Sequence, residues 1–338
     1  YNPENHLTMP NFLPTITMLF TLLTFSVPAQ TGKNMTENKN PLLCDPQSGI
    51  CEIPGISSVT DIRAVNTTPK PVRIVYFTDP ICSSCWGIEP QLRKLKLEYG
   101  DDLEIEYRMG GLLPDWSYNS GGISKPSDVA HHWDEVSVHY DMPIDGDVWL
   151  EDPLDSSYPP SIAFKAAEIQ DSRKALLFMR IIREMVFLQK KNITRWEHLE
   201  VAAVASGLDP VQMKKDMEGK ARDLFQEDLK MGRSMGVRGF PTMFFFDAQN
   251  NRELVYGSKP YATYEAALLK LHPASVRNNY DRSSEGLFAH YSSLTAREYS
   301  ELSGTPRTEA EKILQSYTER GFLDRLDTKN GSLWRVRR

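Results

Sequence analysis

The sequence predicts an α/β fold in which a β-α-β unit opens the domain, a β-β-α unit closes it, and a long helical insertion separates them. Three observations carry that expectation. The β-branched and aromatic run "VRIVYFTD" (72–79) ends in Asp-Pro beside two cysteines, so a strand runs into a turn. A helical period dominates residues 124–235. Beyond it, "GFPTMFFFD" (239–247) and "RELVYG" flank the polar turn "AQNN" and precede the helical "YATYEAALLKLH".

Taken in order, residues 35–70 are polar and rich in Pro, Asn and Gly, and read as an irregular arm that carries Cys44 and Cys51. After the strand at 72–79, Ile88, Leu92, Leu95 and Tyr99 recur at helical spacing up to Gly100, with Pro90 tolerated near the first turn. "LEIEYRM" (103–109) alternates as a second strand. The insertion contains "SIAFKAAEIQ", "RKALLFMRIIREMVFLQKK" and "RWEHLEVAAVASGLD", punctuated by Gly207 and Asp209-Pro210. Residues 71–272 thus form one domain.

The tail, 283–338, reads separately. "TAREYSELSG" and "TPRTEAEKILQSYTERG" predict two short helices, and "FLDRL" and "SLWRVRR" a hairpin turning at Asn330-Gly331. Helix, turn, helix and a β wing resemble a winged-helix module. Its nine Lys or Arg against eight Asp or Glu leave little charge for phosphate neutralisation, so a docking or structural role is expected before nucleic-acid binding.

The whole chain has 338 residues, 39 basic against 45 acidic, and a net charge of -6, which excludes a general polycation for nucleic acid. Residues 9–29 form an apolar run like an export signal, with Val27 and Ala29 placed as before a cleavage site, although no Lys or Arg precedes Lys33. The alternative is translation from Met35 with residues 1–34 upstream of it, which implies the cytoplasm; the export reading implies a periplasmic or secreted protein. The run is too short and threonine-rich for a membrane span.

Four cysteines in two close pairs are too few for a disulfide-stapled scaffold of this length and point to thiol chemistry or metal binding. In "DPICSSCWGIEP", Cys82 and Cys85 stand at a helix start, where unpaired amides stabilise a thiolate. Such thiols fall from about 8.5 into roughly the 3.5–7.5 range. Cys82 is therefore expected to be the nucleophile and Cys85, one turn on, the resolving thiol. Either hydroxyl of Ser83 and Ser84, or a backbone amide, is placed to donate to the Cys82 sulfur. Asp79 is a candidate for moving protons to Cys85, with turn capping as the plainer role. Trp86 and Trp133 are candidates for a substrate groove, or core aromatics.

A zinc site at Cys82 and Cys85 needs two further ligands. Cys44 and Cys51 are spaced too widely, and His131, His132 and His139 read as solvated or satisfied polar residues on a helix, so no metal is expected. Cys44 and Cys51 flank "DPQSGI" and read either as a small disulfide that relays electrons to Cys82 and Cys85 or as arm thiols without a role.

The cysteine pair at a strand-to-helix junction, the helical insertion and the Pro of "RGFPTMFFF" together resemble a thioredoxin fold of the DsbA class. "DPICSSCWGIEPQLRKLKLEYG", "HHWDEVSVHYDMPIDGDVW" and "PPSIAFKAAEIQ" are similar to the FrnE-like disulfide isomerases and to the SpxH/YjbH adaptors, over residues 40–272. Those families more often place Pro, His or Glu between the cysteines, so Ser83 and Ser84 leave the direction of electron flow open. The resemblance implies a cis Pro241, with the Phe240 backbone open to an extended substrate. It implies a thiol-disulfide oxidoreductase or isomerase acting on protein thiols with no cofactor beyond its cysteines. The alternatives are a non-catalytic adaptor presenting a client to a ClpXP-type protease, and a kappa-type glutathione transferase, which the intact cysteine pair disfavours.

Overall fold

The computed structural model describes residues 70–116 and 125–337. The arm with Cys44 and Cys51, and the apolar run at 9–29, lie outside the described residues.

Strand β1 (Val72–Thr78) is buried along nearly its whole length, as its β-branched and aromatic composition, interrupted only by Arg73, requires of a central strand. It runs into α1 (Ser83–Gly87) and then α2 (Glu89–Tyr99), followed by β2 (Leu103–Met109). The single helix expected over 88–100 is two: the chain breaks at Ile88, and Pro90 falls in the first turn of α2, where its missing N–H costs nothing.

The insertion comprises α3 (Pro126–Tyr140), α4 (Val148–Glu151), α5 (Tyr158–Gln170), α6 (Ser172–Leu188), α7 (Trp196–Ala205), α8 (Pro210–Glu218) and α9 (Lys220–Ser234). The chain returns as β3 (Thr242–Phe246), β4 (Arg252–Tyr256) and α10 (Tyr261–Leu271). The sheet order is β2-β1-β3-β4, with β1 parallel to β2 and antiparallel to β3, so the segment that carries Pro241 is brought beside the cysteine turn. Helix α9 is tied to β2 through the fully buried Asp228, which accepts from Met109 N at 2.9 Å and pairs with Arg108 and Lys165, both at 3.0 Å.

The tail contains more than its sequence suggested. A helix α11 (Ser284–His290) and a short strand β5 (Ser293–Thr295) precede α12 (Ala296–Ser303) and α13 (Arg307–Glu319). Ser283 caps α11 and Thr295 caps α12 with a capping box to Glu298, signals too short to stand out beside the longer periods around them. The hairpin β6 (Leu323–Thr328) and β7 (Gly331–Val336) completes a sheet of order β5-β7-β6. Thr328 pairs with Gly331, so the tight turn is Lys329-Asn330, one residue earlier than expected, and Gly331 takes φ +138° as the first residue of the returning strand.

The tail has its own core of Leu287, Phe288, Tyr299, Leu314 and Trp334, yet Leu333 belongs to the main core. Its turn grips the α3–α4 region: Asn330 donates to Asp134 at 2.7 Å and to Ile144 O at 2.8 Å, and Lys329 pairs with Asp134 and Asp147.

Candidate functional site

Cys82 caps α1, with extended backbone and a sulfur that accepts from Cys85 N at 3.3 Å. That amide, rather than either serine hydroxyl, is the donor. Ser84 Oγ instead shares a 2.8 Å hydrogen bond with Tyr140 OH, and Gly87 makes this possible, because a Cβ there would run into the Tyr140 ring. The Phe240–Pro241 peptide is cis, and the Cys82 thiol faces the Phe240 carbonyl at 3.8 Å. The topology therefore brings Cys82, Cys85, Phe240 and Pro241 together, as the motifs implied.

Both thiols are free and buried, Cys82 at 5% exposure and Cys85 at 0%. Burial, then the neighbouring Cys85, pushes the Cys82 thiol well above the ordinary range. Burial acts on Cys85 too, but the Cys82 thiol, the Arg183 guanidinium and the Thr78 and Tyr76 hydroxyls outweigh it and lower Cys85. Within this pair the lowering by Arg183 acts on Cys85, whereas the sequence reading expected a lowered Cys82. Helix α1 is only five residues long, which leaves little aligned dipole at its start, whereas the cation lies beneath Cys85.

That cation is the residue the sequence reading missed. Arg183, on α6, is 1% exposed, donates to Thr78 Oγ1 at 2.7 Å and to Asp79 O at 3.2 Å, and pairs with Glu89 at 2.6 Å. Its Nε has no hydrogen-bond partner among the described residues. The available signal was charge inside an apolar helix: Arg180, Arg183 and Glu184 interrupt "ALLFMRIIREMVFL".

Asp79 is fully buried and works as a turn anchor. It accepts from Ile81 N at 3.0 Å, Leu112 N at 2.8 Å and Ser157 Oγ at 2.9 Å. Burial raises its pKa to about 6 against the pull of those donors and of Arg183.

A cleft of ≈ 680 Å³ opens over Cys82, walled by Cys82, Phe240, Leu112, Trp116, Trp133 and Trp149. The tip of the Phe240 ring closes on Gly110, where a Cβ would strike it. Trp133 is at the cleft and packs edge-on to Trp149 at 5.2 Å. Trp86, a candidate for the same role, is not: it is 0% exposed, stacks on Phe187 at 5.5 Å, and donates Nε1 to Pro143 O at 3.0 Å. Its side chain points into the core because it sits on the inner face of α1. His131 pairs with Glu135 on the exposed side of α3, while His132 lines the cleft with Cys82.

A thioredoxin family model matches residues 76–266. The ClpXP adapter protein SpxH of Halalkalibacterium halodurans is 34% identical over 307 residues, 89% of this chain and 99% of that relative. This chain belongs to the thioredoxin family, among the SpxH proteins. SpxH of Bacillus subtilis is 30% identical over 271 residues, covering 79% and 89% of the two chains. A candidate protein disulfide isomerase of known structure from Nitrosomonas europaea shares the fold, with a TM-score of 0.51 at 20% identity over 60% of this chain and 96% of its own. The relation to SpxH proteins thus extends over nearly the whole chain, whereas the fold likeness stops short of it.

Proposed function

We propose that the protein is an adapter that binds a client protein and presents it to a ClpXP-type protease. The observation that carries this reading is the match to the ClpXP adapter SpxH over 89% of this chain and 99% of the relative, a span too long to exclude the tail. The site is consistent with it: a thiol at 5% exposure whose ionisation is opposed by burial is a poor attacking nucleophile. In this reading the thioredoxin-like domain, 71–272, and a winged-helix-like module, 283–338, together offer the client surface, and the setting is the cytoplasm. A helix α11, the pair α12 and α13 and a three-stranded sheet support the winged-helix reading of the tail.

Deletion of the gene followed by proteome-wide half-life measurement identifies the client as a protein that becomes long-lived. Purified ClpX, ClpP and ATP then degrade that client faster when this chain is added. No protein with a changed half-life, or no acceleration by the purified chain, overturns the reading.

A second reading, thiol-disulfide exchange on protein thiols, is favoured by one specific observation, the placing of Cys82 against the cis Phe240–Pro241 segment in an open cleft. In it Cys82 attacks, Cys85 resolves, and the Phe240 backbone pairs with the substrate chain. Insulin reduction by wild type but not by Cys82→Ser supports it; equal rates dismiss it.

A further inference from the structure

The thiol pair and the C-terminal module are joined by a continuous line of charged groups, buried except at Glu89, which is partly exposed. Glu89 takes the Arg183 guanidinium at 2.6 Å and lies 3.7 Å from Arg93, whose Nε is 3.3 Å from Glu298. Glu298 belongs to α12, is 0% exposed, and also takes a two-pronged contact from Arg180 at 2.8 and 3.0 Å. Arg180 in turn lies over the Trp86 ring at 4.4 Å, one residue from Cys85. One end of this line is beneath the thiols and the other is the first turn of a helix in the module.

We propose that the oxidation state of Cys82 and Cys85 and the seating of residues 284–337 are coupled through Arg183, Glu89, Arg93 and Glu298. In the reduced pair, Cys85 and Glu89 share Arg183, and Arg93 stands between Glu89 at 3.7 Å and Glu298 at 3.3 Å. Oxidation removes the claim of Cys85 on Arg183, Glu89 is then held by Arg183 alone, and Arg93 closes further on Glu298. The oxidised protein therefore seats α12 more firmly. Coupling of two sites is reciprocal, so loss of the Glu298 charge shifts the thiol equilibrium toward the reduced form.

The redox step needs an external partner, for which glutathione disulfide serves. Its S–S bond breaks as the Cys82–Cys85 bond forms by way of a mixed disulfide, and it takes two electrons and the protons the pair still holds, with solvent supplying the proton that an ionised Cys85 lacks, to give two glutathione thiols. This inference is independent of client delivery, and its test uses the purified full chain without protease or client, so either reading can fail alone.

The chain is equilibrated in glutathione buffers, quenched by alkylation, and the peptide with Cys82 and Cys85 is read by mass. Glu298→Gln is expected to lower the equilibrium constant for oxidation roughly fivefold, about 20 mV. Lys94→Met breaks a 3.1 Å bridge between the same helices, to Glu301, that has no contact with Glu89, and is expected to leave the constant unchanged. Hydrogen exchange on the wild type needs no variant: the amides of Ala296–Ser303 exchange more slowly in the oxidised than in the reduced protein. Identical exchange of α12 in both states, or equal shifts from Glu298→Gln and Lys94→Met, overturns the proposal.

Discussion

Asp79 shows how one residue can be conspicuous in a sequence and yet have its role set by burial. Its carboxyl titrates near 6, above the unfolded value, so the folded state binds the extra proton. Between about pH 4 and 6 the native state then holds more protons than the unfolded state, and stability falls as pH rises through that window. A shift of about two units corresponds to roughly 3 kcal/mol of lost stability at neutral pH. Asp79→Asn removes this slope: the wild-type minus variant difference in urea unfolding free energy should become less favourable to wild type from pH 4 to pH 7. A difference constant with pH would show that Asp79 ionises freely. Trp86 makes the converse point. Trp86→Ala deletes a fully buried ring stacked on Phe187 and covered by Arg180, and should cost about 3–5 kcal/mol by urea unfolding. A cost below about 1 kcal/mol would return Trp86 to the cleft.

At the scale of elements, the order of strands and helices in the thioredoxin-like domain was legible because β1, β3 and β4 are short runs containing β-branched or aromatic residues and β2 alternates up to Gly110. The cysteine turn and the Phe240–Pro241 turn were legible together, since sheet order β2-β1-β3 makes them neighbours. What stayed hidden depends on three-dimensional neighbours. The break between α1 and α2 leaves the apolar spacing intact, so no period reports it. Arg183 is 105 residues from its Thr78 acceptor, and a sequence shows only an arginine in an apolar helix. Helix α11 and strand β5 are shorter than a period can resolve. Close packing of the Phe240 segment on β2 yields a prediction for the cleft. In Gly110→Ala the added methyl displaces the Phe240 ring and with it the carbonyl that faces Cys82. Iodoacetamide should then label Cys82 several-fold faster than in wild type at pH 8, while the urea midpoint falls only modestly. Unchanged labelling would mean that the ring is not what covers the thiol.

For the whole molecule the question is whether the tail is an appendage or part of one cooperative structure. A winged-helix-like unit on a linker would unfold by itself. This tail is instead held at several places, among them Glu298 between Arg180 and Arg93, Arg335 on Glu184 at 2.8 Å, and the Lys329-Asn330 turn on Asp134, Asp147 and Ile144 O. The first two involve groups so buried that parting them leaves charges unpaired, which costs about 3–5 kcal/mol for a pair broken on one side. The third closes on the segment whose Pro143 carbonyl holds Trp86. Few modules of this size have more stability than those contacts supply. The tail and the thioredoxin-like domain should therefore open together, and native-state hydrogen exchange should give the most protected amides of β7 and of β1 the same opening free energy at each urea concentration. Earlier opening of β7, by more than about 2 kcal/mol, would show that the module is an independent unit and would cut the physical link on which its coupling to the thiol pair depends.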